Sequence, residues 1–216
     1  MSFARLFYMS LDELRIIVVV YISALAPILI MIGLYRKDQL PRSIIKIYLS
    51  TFLVCALGWE LWFTYGLYAG DPVDLRRSEI LNLYIPKNIN WLMNSLADAG
   101  TVSLGGILIT GKILGVGRAV FNRWNIAAFI ILLAWCIGQN ILVEMFLYFD
   151  QLSVGKDLSW APLSPAGSYF NPLLFEFNER RLMLQTQIPW LILPALIYKT
   201  VIFMNKKGSY EMTPED

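Results

Sequence analysis

NIAAFIILLAWCIGQNILVEMFL, residues 125–147, carries a single charged side chain, Glu144. As a helix rising ~1.5 Å per residue, such a stretch crosses the roughly 30 Å hydrocarbon core of a bilayer. Four further largely apolar stretches of similar length occupy residues 16–35, 46–67, 90–111 and 182–204. None alternates with the period of two that a membrane barrel strand needs. Helices are the expected solution, because a helix satisfies its backbone polar groups within its own segment. The fold expected is all-α: a polytopic membrane bundle of about five transmembrane helices.

Composition agrees with that reading. Of 216 residues, 57% are hydrophobic and 16% charged, with mean hydropathy +0.56, whereas soluble domains carry about 25% charged residues. The charges gather between the apolar stretches. No second compositional regime is long enough for a separate soluble domain, so residues 1–216 read as one transmembrane domain. The first apolar run resembles a signal peptide ending in Ala24-Leu25-Ala26, but Pro27 follows and the run continues to Tyr35, so it reads as a span.

Positive charge orients the bundle. Residues 36–45 hold Arg36, Lys37 and Arg42, residues 112–124 hold Lys112, Arg118 and Arg123, and the last segment holds Lys199, Lys206 and Lys207. Residues 68–89 balance three acids with three bases, and 148–181 are slightly acidic. Basic loops stay cytoplasmic, which puts the N-terminus outside and the tail, residues 205–216, in the cytoplasm. The membrane is a bacterial inner membrane or a eukaryotic endomembrane. Residues 148–181 contain Trp160, Tyr169, Phe170, Phe175 and three prolines, a composition expected of an interfacial or re-entrant loop. If it re-enters, it adds membrane-embedded backbone beyond the five spans.

Several chemistries are excluded. There is no histidine, which removes His-ligated haem, His-rich di-iron sites and His-dependent nucleophilic catalysis. Cys55 and Cys136 both sit in apolar runs and read as buried free thiols, not a disulfide framework. No metal or other cofactor is expected. A net charge of +2 without a basic stripe argues against nucleic acid. Gly111 and Gly115, with Gly100, Ser103, Gly105 and Gly106, suit close helix packing.

Away from their ends, the spans hold three acidic side chains: Glu60, Asp98 and Glu144. Each costs roughly 2.5–3.5 kcal/mol at mid-helix on insertion scales. Interhelical hydrogen bonds average only ~0.6 kcal/mol, so a packing role alone repays little of that cost. Spacing gives each acid a polar face. Asn90, Asn94 and Asp98 recur every four residues, as do Asn140, Glu144 and Tyr148, with Gln139 alongside; Glu60 shares a face with Thr64; Gln185 and Gln187 open the last span. By the topology above these groups fall in the outer half of the bundle, as one shared site. Polar groups confined to one half leave no path across, and no inverted repeat is visible, which argues against a transporter.

Carboxyl groups in apolar surroundings favour the neutral, proton-donating form, and aromatic faces stabilise cations. The set Glu60, Asp98 and Glu144, with Trp59, Trp62, Tyr65, Asn90, Asn94, Asn140 and Gln187 as substrate-binding candidates, fits acid–base chemistry on a membrane-dissolved lipid. The stretch Cys55-Ala56-Leu57-Gly58-Trp59-Glu60-Leu61-Trp62-Phe63 resembles the Trp-Glu motif of small integral-membrane terpene cyclases of fungal meroterpenoid and indole-diterpene pathways. The resemblance implies proton-initiated cyclisation of a prenyl chain, with Glu60 as the acid. That family carries about seven spans and a further acid near its last helix; here Asp98 or Glu144 would take that role. The expected function is therefore a membrane enzyme, a cyclase- or isomerase-like catalyst acting on an isoprenoid or other lipid. The alternative is a non-enzymatic lipid- or pigment-binding subunit of a membrane complex. Substrate identity and oligomeric state are not legible.

Overall fold

A computed structural model describes residues 9–67, 71–115, 120–147, 166–177 and 180–210. The chain is mostly helical. In order come α1 (Leu11–Arg36), α2 (Arg42–Leu57), α3 (Trp59–Tyr65), the short α4 (Val73–Arg76) and α5 (Glu79–Tyr84), and α6 (Lys87–Ala97). A π-helical segment, π1 (Asp98–Leu104), joins α6 to α7 (Gly105–Leu114). Then follow α8 (Ile126–Leu142), a second π-helical segment π2 (Val143–Leu147), strands β1 (Leu173–Phe177) and β2 (Arg180–Met183), and α9 (Leu184–Tyr210). Among the described residues, four helices are long and apolar enough to cross a membrane, and α2 with α3 makes a fifth if the bent pair is one span.

The helices are apolar outside as well as inside. Leu25, Leu29, Ile30, Leu53, Leu108, Ile130, Leu196 and Phe203 are exposed on the perimeter, whereas Asn90, Ser95, Ser103 and Thr110 are fully buried. Soluble bundles place these classes the other way round.

The helices are interrupted where they meet, and other elements cap the carbonyls this frees. Pro27 inside α1 has no N–H to offer the carbonyl of Ser23 one turn earlier. The Thr101 hydroxyl of π1 donates to that oxygen at 2.7 Å. The Pro27 ring fits there because residue 100 is glycine: a Cβ on Gly100 would stand 2.6 Å from the Pro27 Cβ. Gly100→Ala is expected to cost about 1–3 kcal/mol through this overpacking, read as a lowered thermal midpoint; an unchanged midpoint would mean that α1 yields freely.

The second span is not the continuous helix expected over 46–67. It breaks at Gly58, and α2 and α3 diverge by 43°. A Cβ on Gly58 would lie 2.5 Å from the Val54 carbonyl oxygen. The Ala56 carbonyl next to the break accepts from the Trp91 indole N–H at 2.8 Å. In π1 the same pattern recurs: Ser103 Oγ donates to the Asp98 carbonyl at 2.8 Å and Trp135 Nε1 to the Val102 carbonyl at 2.9 Å.

Three further differences from expectation stand out. Residues 71–86 form no open loop. They fold as α4 and α5 with Arg76 and Arg77 buried, because both guanidinium groups find acceptors inside. Second, the chain is not purely helical. β1 and β2 pair antiparallel, with Phe175 opposite Leu182 and Glu176 opposite Arg181; Arg181 Nε lies 3.5 Å from Glu176 Oε2. This hairpin is the described part of the stretch read as interfacial or re-entrant. Its apolar side chains Leu173, Leu174, Phe175 and Phe177 are exposed, while Trp160 and the first two prolines lie outside the described residues. Third, α9 runs through to Tyr210, beyond the span expected over 182–204; residues 211–216 lie outside the described residues.

Candidate functional site

The three acids of the apolar helices stand at helix irregularities. Glu60 follows the Gly58 break by two residues, Asp98 opens π1, and Glu144 lies in π2. Irregular backbone between apolar helices is tolerated where it is buried in protein or lines a cavity, and π turns are frequent at functional sites. Here all three line one cavity of about 260 Å³, together with Trp59, Phe63, Asn94, Trp135, Asn140 and Trp190. That space is far above the ~10–15 Å³ one water needs and just under the usual ~300 Å³ floor of small-molecule pockets.

Each carboxyl group has its own setting. Asp98 Oδ2 accepts from Trp59 Nε1 at 2.9 Å, and Trp59 packs edge-on against Trp190 with ring centroids 5.6 Å apart. The indole is thus fixed by α9 and fixes the acid in turn. Glu144 sits in a closed network. Asn140 Nδ2 donates to its Oε1 at 3.0 Å, Gln187 Nε2 to its Oε2 at 3.0 Å, and Thr186 Oγ1 to the same oxygen at 3.3 Å. Asn140 Nδ2 also donates to Gln187 Oε1 at 2.9 Å, so α8, π2 and α9 are locked together around this acid.

Glu60 is different. Asn94 and Thr64 hydrogen-bond its carboxyl group, yet its Oε2 is buried with no hydrogen-bond partner among the described residues. A buried polar atom left in this state demands an explanation, because desolvation without a partner costs about 1–3 kcal/mol.

The surroundings of Glu60 hold a base that comes from outside its own helix. Arg76 of α4 folds over Phe63, with its guanidinium carbon 4.8 Å from the ring centroid, and donates to the Phe63 carbonyl. Its charge reaches Glu60. Burial pushes the Arg76 pKa down to about 10, and the charge of Arg77 adds to this against Asp71, Glu60 and Asp74. Arg76 therefore remains a cation at neutral pH.

Not every candidate reaches the cavity. Trp59, Asn94 and Asn140 do, with the three acids. Gln187 stands behind Glu144 as its donor. Asn90 is fully buried elsewhere: its Oδ1 accepts from Arg77 Nη1 at 2.9 Å, and its Nδ2 donates to Thr64 Oγ1 at 3.4 Å. Tyr65 donates to Asn88 Oδ1 at 2.9 Å, and neither it nor the partly exposed Trp62 belongs to the lining. Tyr148 lies outside the described residues. Trp135, Trp190 and Phe63 were not among the candidates, although spacing held the signal: Trp135 is four residues before Gln139, and Trp190 three after Gln187, which puts each pair on one helix face.

Among the described residues no group of three or more histidine, cysteine or acidic side chains has the geometry to hold a metal ion. No family model, curated protein or solved structure matches this chain.

Proposed function

We propose that this chain is an integral membrane enzyme that rearranges an isoprenoid or other lipid by acid–base chemistry through a carbocation, in a pocket on the outer side of the bundle. One observation carries the reading: three buried carboxyl groups from separate helices line one aromatic-walled cavity, and one of their oxygens is unpartnered.

Roles follow from the settings. Glu60 is the proton donor, since among the described residues Oε2 has no partner to compete for its proton. Transfer of that proton to an alkene carbon or epoxide oxygen leaves a carboxylate that Asn94, Thr64 and the charge of Arg76 stabilise. The electron pair of the alkene forms the new C–H bond, and the positive carbon left behind faces Trp59, Trp135 and Trp190, whose rings stabilise cations. Attack by a second alkene closes a ring. Loss of a proton from the adjacent carbon to Asp98 ends the cation as an alkene. Asp98 and Glu60 sense each other's charge, and neighbouring carboxyl groups favour one proton between them; that proton exchanges with solvent between turnovers and restores the donor for the next one. Glu144, whose oxygens accept three hydrogen bonds, supplies negative potential and shape.

The test is turnover in D₂O by the full-length chain in lipid nanodiscs, offered linear prenyl chains with and without a terminal epoxide. The expected product of an unfunctionalised chain is an isomer with one deuterium at the protonated carbon. Unchanged substrates throughout, from folded protein, would end the catalytic reading.

A further inference from the structure

The cavity does not close on all sides. Val19 and Ser23 of α1, Thr101 of π1, and Leu142 and Val143 at the junction of α8 and π2 all belong to its lining. Thr101 is exposed and Leu142 is 53% exposed, so the lining continues onto the perimeter of the bundle. α1 packs along α6 and π1, and α8 along α7 and α9, while α1 also meets π2 and α8 meets π1 across the seam between these sets; Thr101 and Leu142, exposed and in the lining, mark the mouth of the cavity there. Thr101 is fourteen residues into the composite helix that starts at Lys87, about 21 Å along it at ~1.5 Å per residue. The seam therefore opens on the apolar belt of the molecule, not on its ends.

The interior has a definite electrostatic character. Three carboxyl groups line it, and among the described residues no lysine or arginine does. Three indole rings and Phe63 complete the wall. Arg76 approaches Glu60 from behind but has its guanidinium on the Phe63 ring and carbonyl. Glu60 is one of these lining residues, and its buried Oε2 has no hydrogen-bond partner among the described residues. Carboxyl groups and aromatic faces together are how proteins recognise amines and ammonium groups, and the attraction strengthens once desolvated.

We propose that the cavity binds lipid-dissolved amphiphiles with one cationic centre, an amine or ammonium head on an apolar chain, admitted sideways through the seam between α1 and the end of α8. This deepens the proposed function and rests on the same cavity, because such a head has the charge of the carbocation. The head and the first carbons fill the cavity, and the remaining chain lies along the seam in lipid.

Equilibrium dialysis on the full-length chain in nanodiscs, with empty nanodiscs subtracted, tests this with radiolabelled N,N-dimethyldodecylamine, its neutral isostere 2-methyltetradecane, and dodecanoate. The amine is expected to bind at least about tenfold more tightly than either comparator, the size of a desolvated cation–aromatic contact. Glu60→Gln and Asp98→Asn should each reduce that preference, and in a time-resolved uptake of the labelled amine Leu142→Trp, at an exposed position, should slow association about tenfold or more without changing the melting midpoint. Equal binding of all three ligands by the wild-type chain overturns the proposal whether or not the variants fold, and an unchanged association rate in Leu142→Trp overturns sideways access. Amine preference without prenyl turnover would leave this inference standing and end the enzymatic reading; turnover without amine preference would do the reverse.

Discussion

Glu60→Gln is expected to lower turnover by about 10²–10⁴, the usual contribution of a positioned general acid. Glutamine matches glutamate in size and keeps a carbonyl oxygen for Asn94 and Thr64, so packing between α3 and α6 should survive. What it lacks is an acidic proton at the position where Oε2 stands without a partner. The loss should fall on kcat, with KM little changed, because the missing interaction is made in the transition state. Thermal midpoint and gel-filtration profile check the fold. A variant within about twofold of wild type, far inside the expected range, would remove Glu60 from the chemistry.

The largest stability effect is expected at Arg77, outside the cavity. Its guanidinium donates to Asn82 Oδ1 at 2.7 Å, to Asn90 Oδ1 at 2.9 Å and to the Ile85 carbonyl. One side chain thus ties α5, the turn after it and α6 together. Arg77→Met keeps bulk and loses all three donors. Hydrogen bonds to charged groups contribute about 1.5–3 kcal/mol each, and buried acceptors left bare add their desolvation cost, so a loss of about 3 kcal/mol or more is expected. Arg77→Lys should recover only part of it, since an ammonium cannot reproduce the planar fork. Denaturation in detergent reads both; a Met variant as stable as wild type would show that α4 and α5 contribute little to holding α6.

The long helices were legible because membrane thickness and backbone satisfaction leave apolar runs few alternatives. Their interruptions were not. Gly58 sits in a run that reads as continuous helix, and the break depends on Trp91 reaching the Ala56 carbonyl from another helix, which no local pattern encodes. Likewise π1 needs Trp135 of α8 to take the Val102 carbonyl. The hairpin left a partial trace. Leu173, Phe175 and Phe177 alternate, but Leu174 interrupts the pattern, and the ladder itself is irregular between Leu173 and Phe175.

The candidate site was legible in part for the same reasons. An acid in an apolar run stands out by its cost, so Glu60, Asp98 and Glu144 could be singled out one by one. Four-residue spacing put Asn94 beside Asp98, and both line the cavity, but the same spacing offered Asn90, which serves Arg77 instead. Spacing along one helix says which face a residue shares, not which neighbour claims it. Arg76 is one of three bases in residues 68–89, and its approach to Glu60 is made by tertiary folding of α4 over Phe63, which local sequence does not encode.

If Glu60 and Asp98 act as one unit, their substitutions should not be additive. The most direct test is therefore turnover of the same prenyl substrate by wild type, Glu60→Gln, Asp98→Asn and the double variant, each verified as folded. The double variant is expected to be no slower than the slower single variant, and both singles to be slowed at least about a hundredfold. A double variant that turns over at the wild-type rate, or two losses that simply multiply, would contradict a shared carboxyl site.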